Sequence, residues 1–145
     1  MARSGVAVAE TDRERADALA VRFAVFVDGQ GIDPDLELDG KDDEATHFVA
    51  YDDGDPVGAA RLRAVGDATG KVERVAVRDR CRGDGWGRRL MAAVHDEARA
   101  RDLKRLVLHA QVRVEEFYRE LGYQSVGESF EQAGIPHVEM ERDLD

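Results

Sequence analysis

Lysine is nearly missing from this chain. Only Lys41, Lys71 and Lys104 stand among 21 basic residues, against 31 acidic ones, for a formal net charge of −10. A surface of that sign repels polyanions and lacks the clustered cations that displace counterions, which argues against nucleic-acid binding. The Asp-rich, Lys-poor composition fits the hydrated, halophile-like surface of a protein working at high salt; an acidic protein of ordinary salt is the alternative. One cysteine, Cys81, excludes an internal disulfide and fits a reducing, cytoplasmic setting. Arg80 and Arg82 flank it, which favours a thiolate, while an incidental loop cysteine is the simpler reading. There is no apolar run of about 18 residues and no signal-peptide pattern, so no membrane span or secretion is expected. Aromatics make up only 6%, so the core must come from the Ala- and Val-rich remainder of the 43% hydrophobic residues. Four histidines (His47, His95, His109, His137) show no ligand-pair spacing, and His95 is expected on a solvent-facing helix surface; no metal is expected. At 145 residues the chain, 1–145, is long enough for one well-buried domain and too short for two.

What is present is a clear succession of patterned segments. Gly5 to Glu10 alternates and predicts a strand. Thr11 with Glu14 makes a capping box for a helix running to about Val27, with Ala16, Leu19, Ala20, Phe23 and Val27 on its apolar side. Asp28 to Glu44 reads as a long acidic loop with room for a helical turn, and such loops inside compact domains tend to be functional. Thr46 to Tyr51 and Pro56 to Val65 are strands joined at Asp52-Asp53-Gly54-Asp55, and Gly66 to Gly70 turns the chain into a fourth strand, Lys71 to Val77. Leu90, Met91, Val94 and Ala98 mark a helix ending near Arg101. Leu103 to His109, reached by a strand–helix crossover, should lie parallel to the fourth strand. Val114, Phe117, Tyr118 and Leu121 form the stripe of a short helix stopped by Gly122. Tyr123 to Val126 and His137 to Glu141 close the fold as strands around a loop at Phe130 to Pro136. The order predicts an α/β fold with a mixed, mostly antiparallel sheet, a central parallel pair, and flanking helices.

Between the fourth strand and its following helix lies Arg82-Gly83-Asp84-Gly85-Trp86-Gly87-Arg88-Arg89, three glycines at alternate positions opening directly into a helix. Unpaired N–H groups and the helix dipole make such a place an anion site, normally for phosphate or pyrophosphate. A Walker A loop needs G-x-x-x-x-G-K-S/T, and a dinucleotide fingerprint needs G-x-G-x-x-G; this loop is R-x-x-G-x-G, which disfavours both. Val75-Ala76-Val77 followed by this loop resembles the coenzyme A loop of the GNAT superfamily of acyl-CoA N-acyltransferases. Arg22 to Gln30, Leu108-His109-Ala110-Gln111, Phe117-Tyr118 with Leu121-Gly122-Tyr123, and Gly134-Ile135-Pro136-His137 resemble its small, YjcF/ElaA-like branch. These segments span nearly the whole chain in the family's order.

The resemblance implies the GNAT fold, acetyl-CoA as co-substrate, direct transfer of the acetyl group to a primary amine of a small-molecule or amino-terminal acceptor, and often a homodimer through the terminal strands. It implies that main-chain groups of Val75, Ala76 and Val77 hold the pantetheine arm. Amides of Arg82, Gly83, Asp84, Gly85, Trp86 and Gly87 would hold the pyrophosphate, with Arg82, Arg88 or Arg89 adding side-chain contacts. Transfer requires an amine that has lost its proton, a polarised carbonyl, and an acid for the departing thiolate. Glu73, on the face of Val75 if pairing is regular, is a candidate base or a paired edge carboxylate. His137 is its rival, and His109 could also line the acceptor pocket. Tyr118 is a candidate acid or a core aromatic. Gln30, Glu37 and Asp39 could meet the acceptor, and the acidity of the Asp28 to Glu44 loop hints at a cationic amine. A non-catalytic acyl-CoA-binding module would keep the glycine loop without a working acid and base.

Overall fold

The computed structural model describes residues 2–144. Seven strands, β1 (Gly5–Val8), β2 (Thr46–Asp52), β3 (Asp55–Gly66), β4 (Thr69–Val77), β5 (Arg105–Gln111), β6 (Gln124–Gln132) and β7 (Ile135–Asp143), make one sheet in the order β1-β2-β3-β4-β5-β7-β6. Every neighbouring pair is antiparallel except β4 and β5. Those two are joined through helix α3 (Trp86–Ala100), the long crossover that a parallel pair requires. Helix α1 (Asp12–Arg22) covers one face, and α3 with the short α4 (Glu115–Glu120) covers the other.

Alternation along the central strands divides the core between these faces. Phe48 and Ala50 of β2 pack with Leu90, Met91 and Val94 of α3, whereas Val49 and Tyr51 turn to Ala18 and Val21 of α1. Burial of both faces leaves β2 enclosed from Thr46 to Tyr51. The α1 capping box forms as expected: Glu14 N–H donates to Thr11 Oγ1 at 3.1 Å, and Glu14 Oε1 accepts from Thr11 N–H at 3.2 Å. Glu10 N–H and the Arg3 guanidinium also bind Glu14, holding its carboxyl down at about 2.

Four expectations change. The first helix is α-helical only to Arg22 and reaches past Val27 as a wider π-helical segment, Phe23–Gly29. Glu73 and Val75 do not share a face. Arg74 has φ +57° and the β3–β4 register slips there, so a bulge puts Glu73 opposite Arg61 on the α1 side while Val75 packs on the α3 side. His95 is buried, not solvent-facing, because its α3 face meets Tyr123 and Arg142; Arg142 donates to Nδ1 at 3.1 Å, and Nε2 lies 2.9 Å from the Tyr123 hydroxyl. The expected loop at Phe130 to Pro136 is mostly strand, since Ala133 and Gly134 (φ +54° and +74°) close a tight β6–β7 hairpin.

Candidate active site

The parallel pairing of β4 with β5 is short, matching only Thr69–Val72 to Arg105–Leu108. Beyond it β4 bulges at Arg74 and stays with β3, while β5 continues along β7 to Gln111. The strands therefore splay, and the edge of residues 73–77 facing β5 has no strand partner among the described residues. A cavity of about 630 Å³ fills the gap, lined by Val75, Ala76 and Val77 on one side and His109, Gln111, Phe117, Tyr118 and His137 on the other. Unpaired backbone of this kind accepts an extended, amide-containing chain as an added strand would be accepted.

At one mouth of the cavity lies the glycine loop. Gly85, the residue before α3, has φ +85° and ψ 7°, and no side chain caps the helix. Gly83 has φ +86°, and a Cβ on either glycine would meet nothing within 4 Å. Their requirement is the left-handed backbone, and the space beside them is open to a ligand. Gly87 differs: a Cβ there would stand 3.0 Å from Phe117 Cζ, so it lets α4 seat against the first turn of α3. Arg82, Gly83, Gly85, Trp86, Gly87 and Arg88 line the cavity. Asp84 is exposed and lies outside that lining. Arg82 is tied to Asp79 at 2.8 Å, Arg88 pairs with Glu120, and Arg89 stacks over Trp86, 4.1 Å from the ring centroid.

Tyr118 lies both in the core and at the cavity. Its ring packs edge-on against Phe117 and Tyr123 in the core, yet it also lines the cavity. Its hydroxyl has no hydrogen-bond partner among the described residues, and burial raises its pKa, which keeps it a proton donor. His137 lines the same cavity and is 7% exposed. Its Nδ1 lies 2.7 Å from the Ile135 carbonyl, which can only accept, so the proton sits on Nδ1 and Nε2 keeps a free lone pair. Phe130 stacks on His137 and meets His109 edge-on, fixing both rings.

Glu73 lines the same cavity but is held by cations. Arg61 and Arg63 both donate to its Oε1, at 2.9 and 2.6 Å, and Lys71 lies 3.6 Å from Oε2. Burial pushes its carboxyl up, but the Arg63 hydrogen bond and the charges of Arg61, Arg63 and Lys71 prevail and lower it. A carboxylate so held is charged and poorly disposed to take a proton.

The acidic loop also turns inward. Helix α2 (Pro34–Glu37) places Glu37, 2% exposed, against Arg22 and Arg74, with Arg22 Nε donating at 2.7 Å. Asp39 accepts both terminal nitrogens of the fully buried Arg61, at 2.9 and 2.8 Å, and Asp42 bridges Arg22 and Arg61. Arg61 hydrogen bonds hold the Asp39 carboxyl well below the usual range. Glu37 and Asp39 are therefore latches that fasten the loop to the sheet. Glu37 still lines the cavity and Asp39 does not; Gln30 lines it as well, where its Oε1 accepts from Gln111 Nε2 at 2.9 Å. Of the arginines that organise this region, Arg22 opens the Arg22 to Gln30 segment singled out in the sequence, whereas Arg61 and Arg74 carried no signal of these ion pairs. No group of three or more His, Cys, Asp or Glu is arranged to hold a metal among the described residues.

A family profile for the acetyltransferase (GNAT) domain matches residues 15–144. The uncharacterized N-acetyltransferase YjcF of Bacillus subtilis is 36% identical over 137 residues, 94% of this chain and 97% of YjcF. An acyl-CoA N-acyltransferase structure from Pseudomonas aeruginosa superposes with TM-score 0.85 at 28% identity, covering 97% of this chain and 99% of that one. Escherichia coli ElaA superposes with TM-score 0.83 at 27% identity, over 98% and 99% of the two chains. With the splayed β4–β5 pair, the glycine loop at the start of α3 and these matches in agreement, the chain belongs to the GNAT family and is an acyl-CoA-dependent N-acetyltransferase.

Proposed function

We propose that the enzyme moves the acetyl group of acetyl-CoA directly onto a primary amine, with His137 as base and Tyr118 as acid. The observation that carries this reading is the cavity itself: unpaired β4 backbone on one wall, an anion-binding helix start at one mouth, and an unbonded hydroxyl and an imidazole lone pair within. Amides of residues 82–87 meet the pyrophosphate, Val75 to Val77 hold the pantetheine arm, and the thioester carbonyl lies where β4 and β5 part.

The steps then follow from placement. His137 Nε2 takes a proton from the acceptor ammonium, and the neutral nitrogen attacks the thioester carbon. The tetrahedral intermediate collapses as the C–S bond breaks and Tyr118 donates its hydroxyl proton to the departing sulfur. The nitrogen gives up its second proton as the amide forms, which restores the Tyr118 hydroxyl, and His137 returns its proton to solvent. Both substrates are held together, so proximity supplies much of the rate and no covalent enzyme intermediate is needed. Glu73 balances Arg61 and Arg63 and positions the bulge.

We place the protein in the cytoplasm, working as a monomer or a homodimer through its terminal strands. The test is steady-state turnover of acetyl-CoA with a panel of primary amines, read as free thiol release. Amine-dependent thiol release supports the reading. Coenzyme A binding without release for any amine would identify a non-catalytic acyl-CoA-binding module.

A further inference from the structure

We propose that the amine acceptor carries an anionic group, of the carboxylate or phosphate kind, received by Arg78, Arg80 and Arg113. This rests on the acyl-transfer reading above and names the acceptor class for the same site.

A second cavity, of about 810 Å³, adjoins the first and shares Val25, Gln30, Gln111, Arg82 and Arg113 with it. The Gln30–Gln111 amide bridge stands between the two. Its charged lining is four arginines, Arg78, Arg80, Arg82 and Arg113, against Asp28 and Asp79. Asp79 is already engaged by Arg82. The other three arginines have no carboxylate partner among the described residues: Arg78 donates its Nε to the Pro56 carbonyl at 2.8 Å, and Arg113 donates its Nε to Gln111 Oε1 at 2.9 Å. Both bonds fix the stem and leave the terminal nitrogens free, the part of the guanidinium that grips a carboxylate or phosphate in two-point fashion.

The contrast with the rest of the molecule gives the observation its weight. In a chain of net charge −10, the two carboxylates that line the first cavity, Glu37 and Glu73, are held by Arg22, Arg61, Arg63 and Arg74. Asp39 and Asp42 of the acidic loop are likewise held by Arg22, Arg61 and Arg74, so all four offer little to a cationic acceptor. A locally cationic wall in an acidic protein draws an anionic ligand to that place and repels it elsewhere. Phe26, Ile32 and Leu36 line the first cavity, and Val25 lines both, so the acceptor has an apolar body between amine and anion.

The experiment compares L-phenylalanine with its methyl ester, and O-phosphoethanolamine with ethanolamine, as acceptors for acetyl-CoA. A charge-assisted pair is expected to give the anionic member of at least one couple a kcat/KM about 10- to 100-fold higher. Arg80→Gln with Arg113→Gln should erase that preference and leave the acetyl-CoA KM and the coenzyme A thermal shift unchanged. Equal or better use of the neutral members in both couples overturns the proposal. So does a raised acetyl-CoA KM in the double variant with the preference intact, which would assign these arginines to the coenzyme phosphates. If no amine is acetylated, it is the acyl-transfer reading that has failed. Calorimetry of N-acetyl-L-phenylalanine and inorganic phosphate on the coenzyme A-loaded protein then decides separately. Binding lost in the double variant supports the anion site; no binding of either ligand removes it.

Discussion

The unpartnered hydroxyl of Tyr118 is the most direct handle on the chemistry. Tyr118→Phe removes only that group, so the ring contacts with Phe117 and Tyr123 persist and coenzyme A should still raise the Tm. Loss of the acid should lower kcat by about 10²- to 10⁴-fold, and an unchanged kcat would return Tyr118 to the core. The base is assigned by pH. His137→Ala should abolish the acidic limb of the kcat/KM profile, because that limb reports the base in the free enzyme. Glu73→Gln should keep the limb and lower the Tm, since it leaves Arg61 and Arg63 facing a neutral amide. The reverse pattern would restore Glu73 as base. The sequence carried the identity of all three residues but not their roles. Tyr118 shows itself on a helical stripe, which says nothing of its hydroxyl. Glu73 acquires its partners from β3, through a register that a bulge at a non-glycine residue resets.

At the scale of elements, the glycine loop was legible because its requirement is local: left-handed backbone immediately before a helix, which only glycine supplies without strain. Gly85→Glu should therefore abolish the thermal shift on coenzyme A addition, by adding a side chain and a like charge where a pyrophosphate meets backbone. A variant that still responds normally would remove the loop from the site. Less local features escaped. The π-helical Phe23–Gly29 segment brings Val25, Phe26 and Gln30 to the cavity, yet its residues read as ordinary helix. The Asp28 to Glu44 segment read as an acidic loop beside the acceptor, and its ion pairs did not show because its partners Arg61 and Arg74 lie far along the chain. Gly87 lines the cavity with the rest of its loop, and the sequence did not show its second contact, with Phe117 of a different helix.

For the whole molecule, charge divides into an exposed acidic surface and a balanced interior network, and salt and pH act on them separately. Salt screens exposed charges well and buried pairs poorly, so at neutral pH a Tm rising from about 0.15 M to molar KCl would report relief at the surface, as a halophile-like composition expects. A flat Tm would leave an acidic protein of ordinary salt. Acid acts first on His95. Burial, reinforced by the charges of Arg142 and Arg99, lowers its pKa from 6.5 to about 4. The unfolded chain therefore binds a proton between those values that the native state refuses, and stability falls as pH drops through that window, by roughly 2–3 kcal/mol at its acid end. The depressed carboxylates Asp39, Asp42 and Glu73 contribute stability that is present above their unfolded values and lost only as pH falls further. Urea titrations at pH 7, 6, 5 and 4.5 should show the decline, and His95→Gln, which has no titrating ring, should flatten it over the same interval. A decline of equal size in His95→Gln would transfer the acid sensitivity to the Arg22, Arg61 and Arg74 network.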